Sequence, residues 1–421
     1  MLGRLVSHGA RGVRVRRLGG DRAGEIRFTR FLRNASVSLS EMIGSAFSRT
    51  QAACADRDIL AIQDTTVTRS SGGGGDYLHA MIAVDAGSGA ILGALDAQFL
   101  ERTEGRKASR GRRAPQDRQS ARWRACADMA GQIEGAARVT VVADREADIF
   151  DLFAHRPAHV DLLVRAMHDR ALEDGGRLAA RIAETPRLGW TALDLPAQPG
   201  RSARTAKLAI RFGRLSLSPP KVTSKTGPEP VAMRYVDLCE ESPPEGVTPV
   251  HWRLLTTLPV ETAADALDVA ARYAKRWRIE ELFRTMKRKG FDIEGLQITD
   301  NAPRNRLILA CFIAATVVMQ MVAEREGPAL RPLTDAFDAS DRPLLEEVSR
   351  LLEGRTARQK NPHPQGSLAF ASWVCARLGG WTGYYGKPGP IVILNGWTEF
   401  QSLKQGAALG RSMAIQERSD V

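Results

Sequence analysis

The sequence predicts an α/β fold interrupted by an all-β insertion and followed by a helical C-terminal region. Three observations carry this reading. Strand-like apolar runs over residues 58–148 lead into a helical segment, short alternating strands between Pro-rich loops fill 160–257, and helical periodicity takes over from Glu261. The expected organisation is a short basic, helical region at 1–55, an α/β domain in two parts at 56–158 and 259–325, the insertion at 159–258, and a helical region at 326–421. A chain of 421 residues can bury a large core, and 43% apolar with 26% charged residues is a globular balance, not a disordered or fibrous one.

In chain order, the first twenty residues hold five arginines and no acid, and lack the apolar stretch of a secretory signal. DILAIQDTTVT reads as a strand, YLHAMIAVDAGSGAILGALDAQFL as a hairpin turning on its glycines, and ARVTVVAD as another strand. The Gly72–Gly75 run between them lacks a strand-to-helix context and reads as a loop. READIFDLFA follows, with Ile149, Phe150, Leu152 and Phe153 spaced for a helix that packs back on the sheet. Alternation at Leu208, Ile210 and Phe212, and at Val231, Met233 and Tyr235, marks the insertion's strands. DALDVAARYAKRWRIEELFRTMKRKG reads as one basic helix. The apolar run Leu307–Ala323 is just short of the ~20 residues that cross a bilayer and contains Gln320, so a buried core helix is expected and no membrane partner. LLEEVSRLLEG and LAFASWVCARLGG complete the helices, the second stopped by a glycine pair.

Charge narrows the function. Sixty Lys and Arg against 48 Asp and Glu leave +12, which favours a polyanionic partner, nucleic acid ahead of an acidic membrane surface. Arg102–Arg124 holds nine basic residues against Glu104 and Asp117, a phosphate-tracking arm in which Arg110, Arg112 and Arg113 are the central cations. Five dispersed cysteines without a Cys-x-x-Cys pair write neither a disulfide framework nor a structural zinc site, and fit a reducing cytosol. Phosphate-loop, zinc-protease and serine-hydrolase signatures are absent.

Two acids stand out, Asp64 in AIQDTT and Asp144 in VVADRE, each following an apolar strand run. A carboxylate there is costly unless it is hydrogen-bonded, caps a turn, or binds a cation. On one continuous helix Tyr273, Arg276, Glu280 and Lys287 would share an arc of about 60° at ~100° per residue. An acid, a phenol and two cations on one face suit a phosphodiester held beside divalent metal, where convergent carboxylates bind the ions and Arg and Lys bind phosphate.

These residues resemble a known pattern. Asp64 with Thr65 and Thr66, the run Asp144-Arg145-Glu146-Ala147-Asp148, and Tyr273, Arg276, Glu280 and Lys287 are similar to the DDE triad, the Asp-Arg-Glu-Ala-Asp box and the Tyr-Arg-Glu-Lys signature of bacterial cut-and-paste transposases of the insertion-sequence-four family, over about Phe28–Gly380. The resemblance implies an RNase H-like catalytic domain in which Asp64, Asp144 and Glu280 bind two Mg²⁺ or Mn²⁺ ions. It further implies phosphate contacts from Tyr273, Arg276, Lys287 and Arg145, Glu146 and Asp148 orienting the metal shell, and Trp252 stacking on a flipped base in relatives that form hairpins. The implied partners are DNA with terminal inverted repeats, target DNA and a second copy of the chain in a synaptic dimer, at the nucleoid of a bacterial cytoplasm. Only about sixty residues precede Asp64, fewer than the end-reading region of such relatives, which makes the Arg-rich first twenty residues candidates for that task. Two rival readings are a DNA-occupying regulator that does not cut, and an RNase H-like nuclease without strand transfer.

Overall fold

Nine strands and twelve helices are found among the described residues of the computed structural model, which are 13–19, 21–71, 74–102, 121–195, 202–220, 229–287, 290–327, 331–384 and 386–419. In chain order they are α1 (Val15–Gly19), α2 (Arg22–Arg33), α3 (Leu39–Cys54), β1 (Asp58–Ser71), β2 (Gly74–Asp85), β3 (Ile91–Arg102), α4 (Ala121–Ala130), β4 (Arg138–Ala143), α5 (Phe150–Ala154), β5 (Val160–Arg165), α6 (Leu178–Glu184), β6 (Gly189–Leu195), β7 (Arg204–Leu217), β8 (Val231–Glu240) and β9 (His251–Thr256). Then come α7 (Ala263–Ala274), α8 (Trp277–Met286), α9 (Asn301–Glu324), α10 (Arg342–Leu352), α11 (Leu368–Leu378) and α12 (Pro390–Ser419). The chain divides into a sheet unit, Cys54–Asp64 with Gly105–Trp277, and a helical unit, Met1–Ala53 with Thr65–Glu104 and Arg278–Val421.

In the sheet unit, the start of β1 runs parallel to β4, and β4 parallel to β5. These strands are apolar on both faces, as parallel strands covered on both sides must be: Ile59, Leu60, Ala61 and Ile62 are fully buried, as are Val141 and Val142. Beyond β5 the order continues antiparallel through β9, β8, β7 and β6. Helix α7 packs on β7 and β8. Its start is fixed by a capping box: the Thr262 hydroxyl accepts from Asp265 N and the Asp265 carboxylate accepts from Thr262 N.

In the helical unit, β2 lies between β3 and the second part of β1. The β2–β3 turn uses Gly89 at φ +72°, in the left-handed region. Helix α9 packs against β3, α2, α11 and α12. Among the described residues it is the one helix long and apolar enough to cross a membrane, but 89% of its most apolar window is buried inside the protein. Gln320 belongs in this core because its Nε2 donates to the Leu92 carbonyl at 2.5 Å. Helices α11 and α12 approach at Gly379 and Gly396, where an added Cβ would overlap the carbonyl oxygens of Val392 and Cys375 respectively.

Three expectations are corrected. The basic helix expected from Asp265 to Gly290 breaks after Ala274: Lys275 N and Arg276 N bond the carbonyls of Arg272 and Tyr273, three residues back, before α8 begins. That tighter winding invalidates the continuous-helix arc, which assumed 3.6 residues per turn throughout. The segment expected to be all-β carries helix α6, and its strands extend the sheet of β4 instead of standing apart. Asp64 lies within β1, not at its end, because the strand continues through Thr65–Ser71.

Candidate functional site

Strand register assembles the centre of the site. β1 and β4 pair from Asp58 with Arg138 to Ile62 with Val142. Asp64 and Asp144 each lie two residues beyond the last pair, Ile62 with Val142. β4 and β5 pair as far as Ala143 with Val164. Asp144 and Arg165 are the residues that follow that last pair. Asp64, Asp144 and Arg165 thus follow the parallel-paired stretches of β1, β4 and β5, the side on which open α/β sheets bind ligands.

Each member is held by named partners. Asp64 is half-buried against Arg276, whose Nη1 donates to its Oδ2 at 2.9 Å. Asp144 caps the short 3₁₀ turn Arg145–Ala147, its Oδ1 accepting from Glu146 N at 3.0 Å. The capping role foreseen for a strand-end aspartate is thus present, and it orients the carboxylate. Arg165 donates from Nη2 to the His251 carbonyl at 2.7 Å. Burial lowers the pKa of this guanidinium; the nearby Tyr273 phenol opposes that, while Arg145 and Arg276 add to it. Three guanidiniums that repel one another make an anion-seeking surface.

Tyr273, at 4% exposure, closes the back of this cluster. Burial pushes its phenol up, Arg276 and Arg165 pull it down, and Asp144 pushes it up again. It therefore remains a neutral hydrogen-bonding group at physiological pH. Trp252, half-buried near the start of β9, makes a T-shaped contact with Tyr273, with centroids 5.7 Å apart and planes at 68°. Arg276 lies 5.7 Å from the ring of Trp277, which is 52% exposed. The sheet unit thus brings Asp64, Asp144, Arg145, Arg165, Trp252, Tyr273 and Arg276 together.

The other expected residues are placed as follows. Glu280 is half-buried in the first turn of α8, and Lys287, just past that helix, pairs with Glu294 at 3.7 Å; both belong to the helical unit. Thr65, in that unit too, bonds the buried His79 through Oγ1 and Nδ1 at 2.9 Å. Glu146 is exposed and pairs with Arg122 at 2.9 Å. Asp148 is buried and faces a turn instead of the acids: its carboxylate accepts from Met167 N, His168 N and Arg170 Nε. Arg110, Arg112 and Arg113 lie outside the described residues.

The donor chemistry fits a hard divalent cation. Asp64 and Asp144 offer carboxylate oxygens, the kind of ligand Mg²⁺ and Mn²⁺ prefer. Among the described residues, no three His, Cys, Asp or Glu side chains are gathered tightly enough to form a metal cluster. Arg165 was missed in the sequence because a lone arginine ending an apolar strand looks like a solvated terminus; only the fold brings it near Tyr273, Arg145 and Arg276.

A family model described as Transposase DDE domain matches residues 55–317. Among solved structures, a cryo-EM structure of the piggyBac transposase synaptic complex with hairpin DNA is similar at 9% sequence identity and a TM-score of 0.37, over 85% of this chain and 76% of that one. A likeness at that level assigns no residue a role.

Proposed function

The chain belongs to the transposase DDE-domain family, and from that premise we propose that it cuts the ends of an insertion sequence and joins the freed 3′-OH groups to target DNA. The observation that carries this reading is the gathering of Asp64, Asp144 and Arg165 around Arg276 and Tyr273. An RNase H-like catalytic fold is consistent with β3-β2-β1 order in one unit and β1-β4-β5 order in the other. The closer assignment, to the insertion-sequence-four family, rests on the Tyr273, Arg276, Glu280 and Lys287 signature.

In this reading Asp64, Asp144 and Glu280 would hold two Mg²⁺ or Mn²⁺ ions, which when bound supply the charge that in-line displacement at phosphorus needs. Arg165, Arg276 and Arg145 neutralise the phosphates on either side of the scissile bond, and the Tyr273 phenol donates to a phosphate oxygen. Lys287 adds a further phosphate contact. Trp252 offers an aromatic face to an unstacked base, which suits a hairpin intermediate. The DNA partner carries terminal inverted repeats, and bringing two ends together calls for a homodimer.

The test uses a plasmid carrying the terminal repeats that border the gene, with Mn²⁺. Asp64→Ala, Asp144→Ala and Glu280→Ala should each abolish nicking and joining by several orders of magnitude while DNA binding persists. Nicking at the wild-type rate by any of the three removes that residue from the centre. Cut but never joined products would favour a nuclease without strand transfer, and binding without any nick a regulator.

A further inference from the structure

The last aspartate of the Asp-Arg-Glu-Ala-Asp run does something the proposed chemistry leaves unexplained. Asp148 is only 3% exposed, yet it is spent entirely on the turn that follows β5. Its Oδ2 accepts from Met167 N at 2.7 Å and His168 N at 2.8 Å, and its Oδ1 from Arg170 Nε at 2.5 Å. Arg170 also donates to the Asp148 carbonyl, and its guanidinium lies 5.3 Å from the ring of Phe153. The turn is tied from its other side as well: Ala166 N donates to the Arg253 carbonyl at 2.8 Å, Leu178 N to the Arg170 carbonyl at 2.9 Å, and Ala179 N to the Asp169 carboxylate at 2.7 Å.

A turn so bonded is rigid, but its second residue is Met167, 62% exposed. The side chain is thus presented to solvent on a backbone fixed by the Asp148 carboxylate. Met167 also follows Arg165 by two residues, at most ~7 Å along the chain and about the spacing of successive phosphates on a nucleic-acid strand. Arg165 sits among Arg145, Arg276 and Tyr273, the groups read above as phosphate ligands.

We propose that the turn Ala166–Arg170 is a DNA-contacting element, in which Met167 packs against the sugar or base of the nucleotide next to the one whose phosphate Arg165 holds, and that Asp148 is its positioning residue. This rests on the reading of the chain as a DNA-cutting enzyme. The buried carboxylate fixes the backbone of Met167 and His168, so contact costs the turn little ordering entropy when DNA arrives. Met167 supplies apolar contact, and Arg165 supplies the charge that brings the strand to it.

Affinity for a fluorescein-labelled duplex carrying the bordering terminal repeat, single-turnover nicking of that duplex with Mn²⁺, melting temperature and amide hydrogen exchange together test the proposal. Met167→Ala should leave melting and exchange at wild-type values, because the side chain is exposed, while weakening binding five- to tenfold and slowing nicking by a similar factor; Met167→Leu should restore both. Asp148→Asn should speed exchange at the Met167 and His168 amides and weaken binding at least as much. Wild-type binding and nicking by Met167→Ala would overturn the inference and leave the transposase reading standing. A wild-type protein that neither binds nor nicks the duplex would overturn both.

Discussion

At the scale of single residues, the candidate site is governed by what its buried charges are paired with. Asp64 and Arg276 are each largely buried and hold one another at 2.9 Å, and removing one partner of such a pair typically costs ~3–5 kcal/mol because the other is left uncompensated. Loss of activity in an Arg276 variant must therefore be separated from loss of stability, with Arg276→Lys as the milder probe. Trp252 offers a cleaner experiment. Trp252→Ala should slow hairpin formation and spare the first nick, since stacking on a base is worth ~1–3 kcal/mol and only the later step needs the unstacked nucleotide. Gel analysis of the two products checks this; equal loss at both steps with a lowered melting temperature would make Trp252 a support for Tyr273 and nothing more. Both aspartates were legible in the sequence because an acid after a buried strand run contradicts its surroundings. Arg165 and the burial of Asp148 were not: each depends on which strand or turn lies alongside, and no local pattern encodes that.

The elements show the same division between what is local and what is not. Strands β1 to β4 and helix α9 announce themselves by apolar runs, and the Gly379–Gly380 stop of α11 by composition. The break between α7 and α8 carries no glycine or proline, so nothing in the sequence marks it, and it changes which residues share a helix face. Helix α6 is short and sits in a segment where β-alternation is the stronger signal. The crossing of α11 and α12 makes an element-level prediction. At Gly396 a methyl group would meet the Cys375 carbonyl, part of a neighbouring helix that cannot swing aside like a side chain. Gly396→Ala should accordingly lower unfolding free energy by ~1–3 kcal/mol despite the better helix propensity of alanine, read as a shift in urea midpoint at constant slope. An unchanged or raised midpoint would mean that the two helices do not approach this closely.

For the whole molecule, a net charge of +12 predicts DNA affinity that weakens steeply with salt. Neutralising Arg110, Arg112 and Arg113 together should flatten the plot of log K against log[salt] by up to about three units and weaken specific and random duplexes alike, whereas changes at Arg276 and Lys287 should reduce turnover more than binding. A triple variant with the wild-type slope would show that the arm is a solvated loop. The two units interleave, since the chain passes from one to the other at Ala53/Cys54, Asp64/Thr65, Glu104/Gly105 and Trp277/Arg278. A gene cut short after codon 277 would still encode every residue of the sheet unit, with Asp64, Asp144, Arg165, Trp252, Tyr273 and Arg276, and would omit Glu280. Under the proposed function its product would keep Arg165, Tyr273 and Arg276 and lack Glu280, and is expected to bind DNA without cutting it.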